Sequence, residues 1–191
     1  MPLQLLPLHS TPTGSIHFQI EMDTDQCFSN GESNEVPSGD RSALIFMGTG
    51  CSSGVRSPRC LMQPSNPPCQ FFHKVMSSPP ETNRNYRCNP SLLIDHEQED
   101  GNHNYILIDV GKDFKEQVFR WVLRYKIARL DAIILMHEHA DALLGLDDIR
   151  GVQPYSPHND IDPTPIFVNQ FTMDSVMVKF PYLVQKKNNL K

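Results

Sequence analysis

The 191-residue chain predicts a layered α/β domain, a sheet flanked by helices, and two patterns point there. Short apolar runs of strand length dominate the first part, and strand-like and helix-like segments alternate afterwards. That order suits sheet-and-helix layers better than a bundle or an all-β barrel. A third observation removes one class: no apolar run approaches the roughly eighteen residues of a membrane span, the longest clean one being residues 132–136. The length holds one domain, or one domain with a tail.

Residues 1–41 read as the tail. They are acidic, with Glu21, Asp23, Asp25, Glu32, Glu35 and Asp40, and they break into Ser, Thr, Asn, Gly and Pro clusters, a composition that favours disorder. They fit neither a secretory signal, which has a basic start and a longer apolar stretch than Leu3 to Leu8, nor an Arg-rich transit peptide. A cytoplasmic location is the expectation. Five cysteines, an odd number in a chain of this length, suit a reducing compartment with thiols free or on metal.

Residues 42–191 read as the domain. Ala43 to Met47 is a buried strand stopped by Gly48-Thr49-Gly50, and a long Pro- and Cys-bearing excursion runs from Arg56 to Asn89. Ser91 to Asp95 and Tyr105 to Asp109 are two strands joined around Asp100-Gly101, a hairpin signal. Phe114, Val118, Trp121, Val122 and Tyr125 recur at helical spacing, with Asp113 and Glu116 placed like a capping box. The opposite face of that helix carries Lys115, Arg120, Arg124 and Lys126, read as a solvated face in preference to a phosphate-binding patch. Asp131 to Met136 is a fourth strand, Asp141 to Ile149 a second helix, Pro165 to Val168 a fifth strand, and Thr172 to Phe180 a last helix closed by Pro181.

The chemistry concentrates in Leu135-Met136-His137-Glu138-His139-Ala140-Asp141-Ala142. Two histidines one residue apart at a strand end project to the same side, because strand side chains alternate. Asp141 adds a carboxylate where the next helix starts. Imidazole and carboxylate together suit zinc, manganese or iron, and a site with few protein ligands leaves positions open for water. Asp141 is therefore both a metal ligand and a catalytic candidate. The unspecific alternative, a surface His-x-His pair, loses weight from the placement at a strand end.

This stretch resembles the His-x-His-x-Asp-His signature of metallo-β-lactamase-fold hydrolases. The glycine loop Gly48 to Gly54 resembles the opening of their cyclic phosphodiesterase and tRNA-processing-like branch. Ile108-Asp109-Val110-Gly111 resembles the strand end that precedes the metal strand, and Leu144-Gly145-Leu146 the helix behind the ligands. The resemblance covers about Ala43 to Val168 and implies the first half of an αββα sandwich, incomplete by itself, whose uncovered sheet face calls for self-association or a missing second half.

It implies His137 and His139 as ligands of one divalent metal, zinc first, and Asp141 as ligand of a second, with Asp109 orienting the ligand loop from behind. A strand-terminal turn is the alternative role for Asp109. It also implies a structural zinc in the excursion, on Cys60, Cys69 and His73, with unliganded cysteines as the alternative. Where the signature ends in histidine this chain has Ala142, and no later residue matches the remaining ligands: His158, Asp160, Asp162 and Asp174 are poorly placed.

The function implied is metal-dependent hydrolysis of a small phosphodiester or nucleotide-like substrate, by Lewis-acid activation of the phosphoryl group. A net charge of −5, from 17 basic and 22 acidic residues, argues against dedicated nucleic-acid binding. Two alternatives stand beside it. One is a truncated or spliced, non-enzymatic form without the downstream ligands. The other is a nucleotide-binding oxidoreductase using Gly48, Gly50 and Gly54, weakened because Pro58 interrupts the helix such a loop needs.

Overall fold

The computed structural model describes residues 42–153 and 163–184. The acidic tail 1–41, and with it Cys27, lies outside the described residues, as do His158, Asp160 and Asp162. Five strands form one mixed sheet in chain order: β1 (Ala43–Gly48), β2 (Ser91–Glu97), β3 (His103–Ile108), β4 (Ala132–Ile134) and β5 (Ile166–Phe167). β2 pairs antiparallel with both β1 and β3, and β3, β4 and β5 run parallel. The Asp100-Gly101 connection closes as the sequence predicts. Gly101 takes φ +78°, and both oxygens of Asp100 accept from Asn102.

Period-two alternation selects the core face. Ile45, Leu93, Leu107, Ile133 and Ile166 stand opposite one another in register, a row crossing all five strands. Onto this row pack Phe114 and Val122 from the helix after β3, Leu143 and Leu146 from the segment after β4, and Val176 from the last helix. Leu93, Leu107, Ile133, Phe114 and Leu143 lose all contact with solvent, each burial contributing about 1.5–3 kcal/mol. The alternate positions, Leu44, Leu92, Ile94, Ile106, Ile108 and Ile134, are apolar as well, yet stay only partly buried among the described residues.

The helices after β3 and β4 are less regular than the sequence patterns predict, while the last helix forms where it is expected. α1 (Pro58–Met62) and α2 (Gln70–Met76) lie in the Cys-bearing excursion, with a small core of Val75, Tyr86 and Cys88. Pro58 begins a helix rather than interrupting one, because proline at the first helical position gives up no needed donor. α3 (Phe114–Gln117) widens into a π-helical stretch over Val118–Val122. The capping box does not form: Asp113 Oδ2 accepts instead from the Asn89 N–H at 3.0 Å, and Glu116 pairs with Arg56 at 2.6 Å and with the Tyr86 hydroxyl. α4 (Ala140–Leu143) passes into a 3₁₀ stretch over Leu144–Val152, and α5 (Gln170–Lys179) starts on Asn169, whose side chain accepts from Thr172 N–H.

Two glycines set the approach between the segments that follow β3 and β4. A β-carbon on Gly145 would lie 2.2 Å from the Gly111 carbonyl, and one on Gly111 would lie 2.2 Å from the Asp141 carbonyl. The segment after β3 and the segment after β4 thus touch backbone to backbone. Gly145→Ala or Gly111→Ala is expected to destabilise the protein by about 3 kcal/mol, because neither carbonyl can yield. Gly151, where a β-carbon meets nothing, is the control, and Gly151→Ala should leave the urea midpoint nearly unchanged.

Candidate metal centre

The site forms where β3 and β4, running parallel, both end at the same edge of the sheet. Asp109 follows β3 directly and takes a left-handed conformation, φ +59°, which costs a non-glycine residue about 1 kcal/mol. That turn gives Asp109 four tasks. Its N–H donates to the Ile134 carbonyl at 2.9 Å, its carbonyl accepts from the Ser91 hydroxyl at 3.0 Å, and its Oδ1 accepts from the Met136 N–H at 2.8 Å. It also delivers Val110 to the core, where the Val110 N–H donates to Ala142 and the Val110 carbonyl accepts from Gly145. Burial pushes the Asp109 carboxyl above its usual range, opposed by the Met136 N–H and the nearby His137 and reinforced by Asp141.

β4 stops at Ile134, earlier than the apolar run, so both histidines lie beyond the strand on chain that stays extended; His139 has φ −74° and ψ 161°. The extended path preserves what alternation predicts. The two rings meet edge to face with centroids 4.8 Å apart, and His137 Nε2 lies 3.8 Å from Asp141 Oδ1. Donor atoms of His137, His139 and Asp141 all fall within 4.8 Å of one another, the one group of three or more such donors among the described residues. The Asp141 side chain is 17% exposed, His137 40% and His139 70%, so the cluster is anchored on its aspartate and open on its histidines. Glu138 turns aside: its carboxylate lies 3.4 Å from His139 Nε2, while its carbonyl accepts from Lys179 of α5 at 3.2 Å.

Two imidazoles and a carboxylate within that span fit a divalent cation of the zinc, manganese or iron type. Ala142 is completely buried and its carbonyl holds Val110, so position 142 belongs to the core rather than to the open cluster.

The sequence reading did not pick out Asn89. Its side-chain amide donates to the carbonyls of Cys51 and Ser52, its backbone carbonyl accepts from the buried Gln117, and its Cβ packs against Gly111. Asn89 therefore ties the glycine loop to the turn behind the metal ligands. Its only sequence signal is the Asn-Pro pair before β2, which reads as a turn and nothing more. Within the glycine loop, Cys51 is exposed, and its thiol is lowered mainly by the hydroxyl of Ser53.

In the excursion, the Cys69 thiol is lowered first by the Phe72 N–H and, to a smaller extent, by the neighbouring Cys60 thiol, so these two cysteines are brought together. His73 is exposed, with its ring edge-on to Phe72, and does not join them in a three-donor group. Cys88 is buried apart from them, its thiol pushed up to about 11 by burial and by Asp113. Asp174 is exposed on α5, bonded to Gln170.

Residues 104–191 match the family described as the beta-lactamase superfamily domain. The chain is 30% identical over 142 residues to an octanoyltransferase of Porphyromonas gingivalis, an alignment covering 74% of this chain and 23% of that protein. The crystal structure of a diphosphatase from the PhnP family matches with a TM-score of 0.53 and 31% identity, over 74% of this chain and 46% of that one. The chain therefore spans under a quarter of the first relative and under half of the second.

The dependence of the ligand loop on Asp109 is testable. Asp109→Ala should weaken zinc binding by about 10–100-fold in a chelator-competition titration, because the Met136 N–H loses its acceptor and the loop its anchor. Asp109→Asn, which keeps an acceptor oxygen and tolerates the left-handed turn, should recover part of the loss.

Proposed function

We propose that this chain, which has the fold of the metallo-β-lactamase superfamily, is a metal-dependent hydrolase acting on a small phosphodiester. The observation that carries the reading is the His137, His139 and Asp141 cluster at the paired ends of two parallel strands. Its likeness to a diphosphatase supports phosphoryl rather than acyl chemistry. The octanoyltransferase match covers too small a share of that protein to bring octanoyl transfer with it.

In this reading His137 and His139 present neutral nitrogens to a divalent ion, zinc first, and Asp141 supplies the charged oxygen. A divalent ion held there supplies Lewis-acid polarisation of a phosphoryl oxygen and acidifies water. The protein's own part is positional. Asp109 fixes the ligand loop through Met136, Lys179 fixes the peptide between the histidines through the Glu138 carbonyl, and the Gly111–Asp141 contact sets the height of the carboxylate. The exposure of His139 leaves the outer side of the cluster open to a substrate. Cys60 and Cys69, which lie together, are the candidates for a separate structural zinc, whereas His73 stands outside a three-donor group with them.

One observation favours a second reading, metal binding without turnover. Ala142 stands in the core where a further imidazole would be needed, and three donors are fewer than two-metal hydrolysis uses. Bis-p-nitrophenyl phosphate separates the two. The hydrolase reading predicts turnover with zinc or manganese, abolished by chelator and reduced at least about a hundredfold in Asp141→Asn. Stoichiometric metal with no turnover under any metal would establish the second reading instead.

A further inference from the structure

Away from the metal ligands, a cleft of about 60 Å³ opens between the end of β1, the segment before β2 and the π-helical stretch after α3. Its lining residues include three arginines, Arg84, Arg87 and Arg120, beside Tyr86, Trp121 and Thr49, and no acidic residue. In a chain of net charge −5 such a concentration of positive charge is unexpected.

Arg120 is the informative member. Where Lys115, Arg124 and Lys126 of the same basic series are exposed, Arg120 is partly buried. One of its terminal nitrogens donates to the Tyr86 carbonyl at 2.8 Å, and its guanidinium lies over the Trp121 ring at 4.9 Å. Its Nε is buried and has no hydrogen-bond partner among the described residues, and it forms no ion pair there. Burial accordingly draws its basicity down from the usual arginine value, with Cys88 and then Glu81 acting the other way.

Glu116, which reaches Tyr86 beside the cleft, is taken by Arg56 and by the Tyr86 hydroxyl. A partly buried guanidinium held by a carbonyl and an indole, without an anion, is an incomplete arrangement, because a buried charge is costly until paired.

We propose that this cleft binds a phosphoryl-type oxyanion, with Arg120 and Arg87 as its principal donors. Guanidinium forks match the oxygens of a tetrahedral phosphate, and each charge-assisted bond is strong where water is partly excluded. The volume is of the order of a single phosphoryl group. The anion is either free phosphate or the terminal phosphate of a small molecule whose remainder stays outside. None of the lining residues belongs to the His137, His139 and Asp141 cluster, so the inference stands independently of the hydrolase reading.

Trp121 is the chain's single tryptophan, which gives the site its own reporter. Inorganic phosphate titrated at constant ionic strength into chelator-treated protein should change the tryptophan emission saturably. The same titration of His139→Ala should give the same curve. Arg87→Gln, at an exposed position, and Arg120→Gln should each weaken binding by about tenfold or more, while Arg120→Lys should fall between. Glycerol 2-phosphate distinguishes the sources: a matching response identifies a terminal phosphoryl group, and its exclusion identifies the free ion. The proposal is overturned by an absent response, by an equal response to acetate or chloride, or by unchanged affinity in Arg87→Gln.

Discussion

The site depends on the turn at Asp109. Two parallel strands end side by side, and the chain leaving β4 carries two histidines into solvent with no strand partner of its own. What fixes it is a single carboxylate oxygen on the Met136 N–H. That bond exists only because Asp109 adopts a left-handed backbone immediately after β3, folding its side chain back across the strand ends. The same turn sends Val110 and Gly111 against the Ala142 and Asp141 carbonyls. One residue thereby positions the ligands from behind and from below. Burial raises the Asp109 carboxyl and the Met136 N–H and His137 oppose that rise, so a divalent ion held beside it would favour the same anion and the same loop order.

Much of this was legible in the sequence because it rests on local pattern. The five strands, the Asp100-Gly101 hairpin and the closeness of His137, His139 and Asp141 follow from period-two alternation and turn chemistry, with β4 and β5 shorter than their apolar runs. What escaped was set by partners distant in the chain. Asp113 and Glu116 have capping-box spacing, yet the first is claimed by Asn89 and the second by Arg56 and Tyr86. Only the returning excursion supplies those partners. β4 ends early because the His137 segment has no neighbouring strand to pair with. Asn89, an unremarkable turn residue by sequence, becomes a junction because the glycine loop and the segment from Gly111 to Gln117 both meet it.

The basic helix face shows the same division. Spacing alone makes Lys115, Arg120, Arg124 and Lys126 one solvated stripe, and three of them are exposed as expected. Arg120 departs because Tyr86 and Trp121 cover it, a contact between residues more than thirty positions apart. The sheet adds a further asymmetry. Its row from Ile45 to Ile166 is sealed by helices, while the alternate apolar positions Leu44, Ile94 and Ile106 stay partly open among the described residues. Such a face suits packing against a further layer.

The central claim is that three side chains, placed by Asp109, hold a divalent ion. Metal analysis by mass spectrometry, on protein purified without chelators beside a His139→Ala variant of equal fold content, tests it most directly. The account predicts stoichiometric zinc, manganese or iron in the natural chain and its loss in the variant. Identical trace metal in both would contradict it.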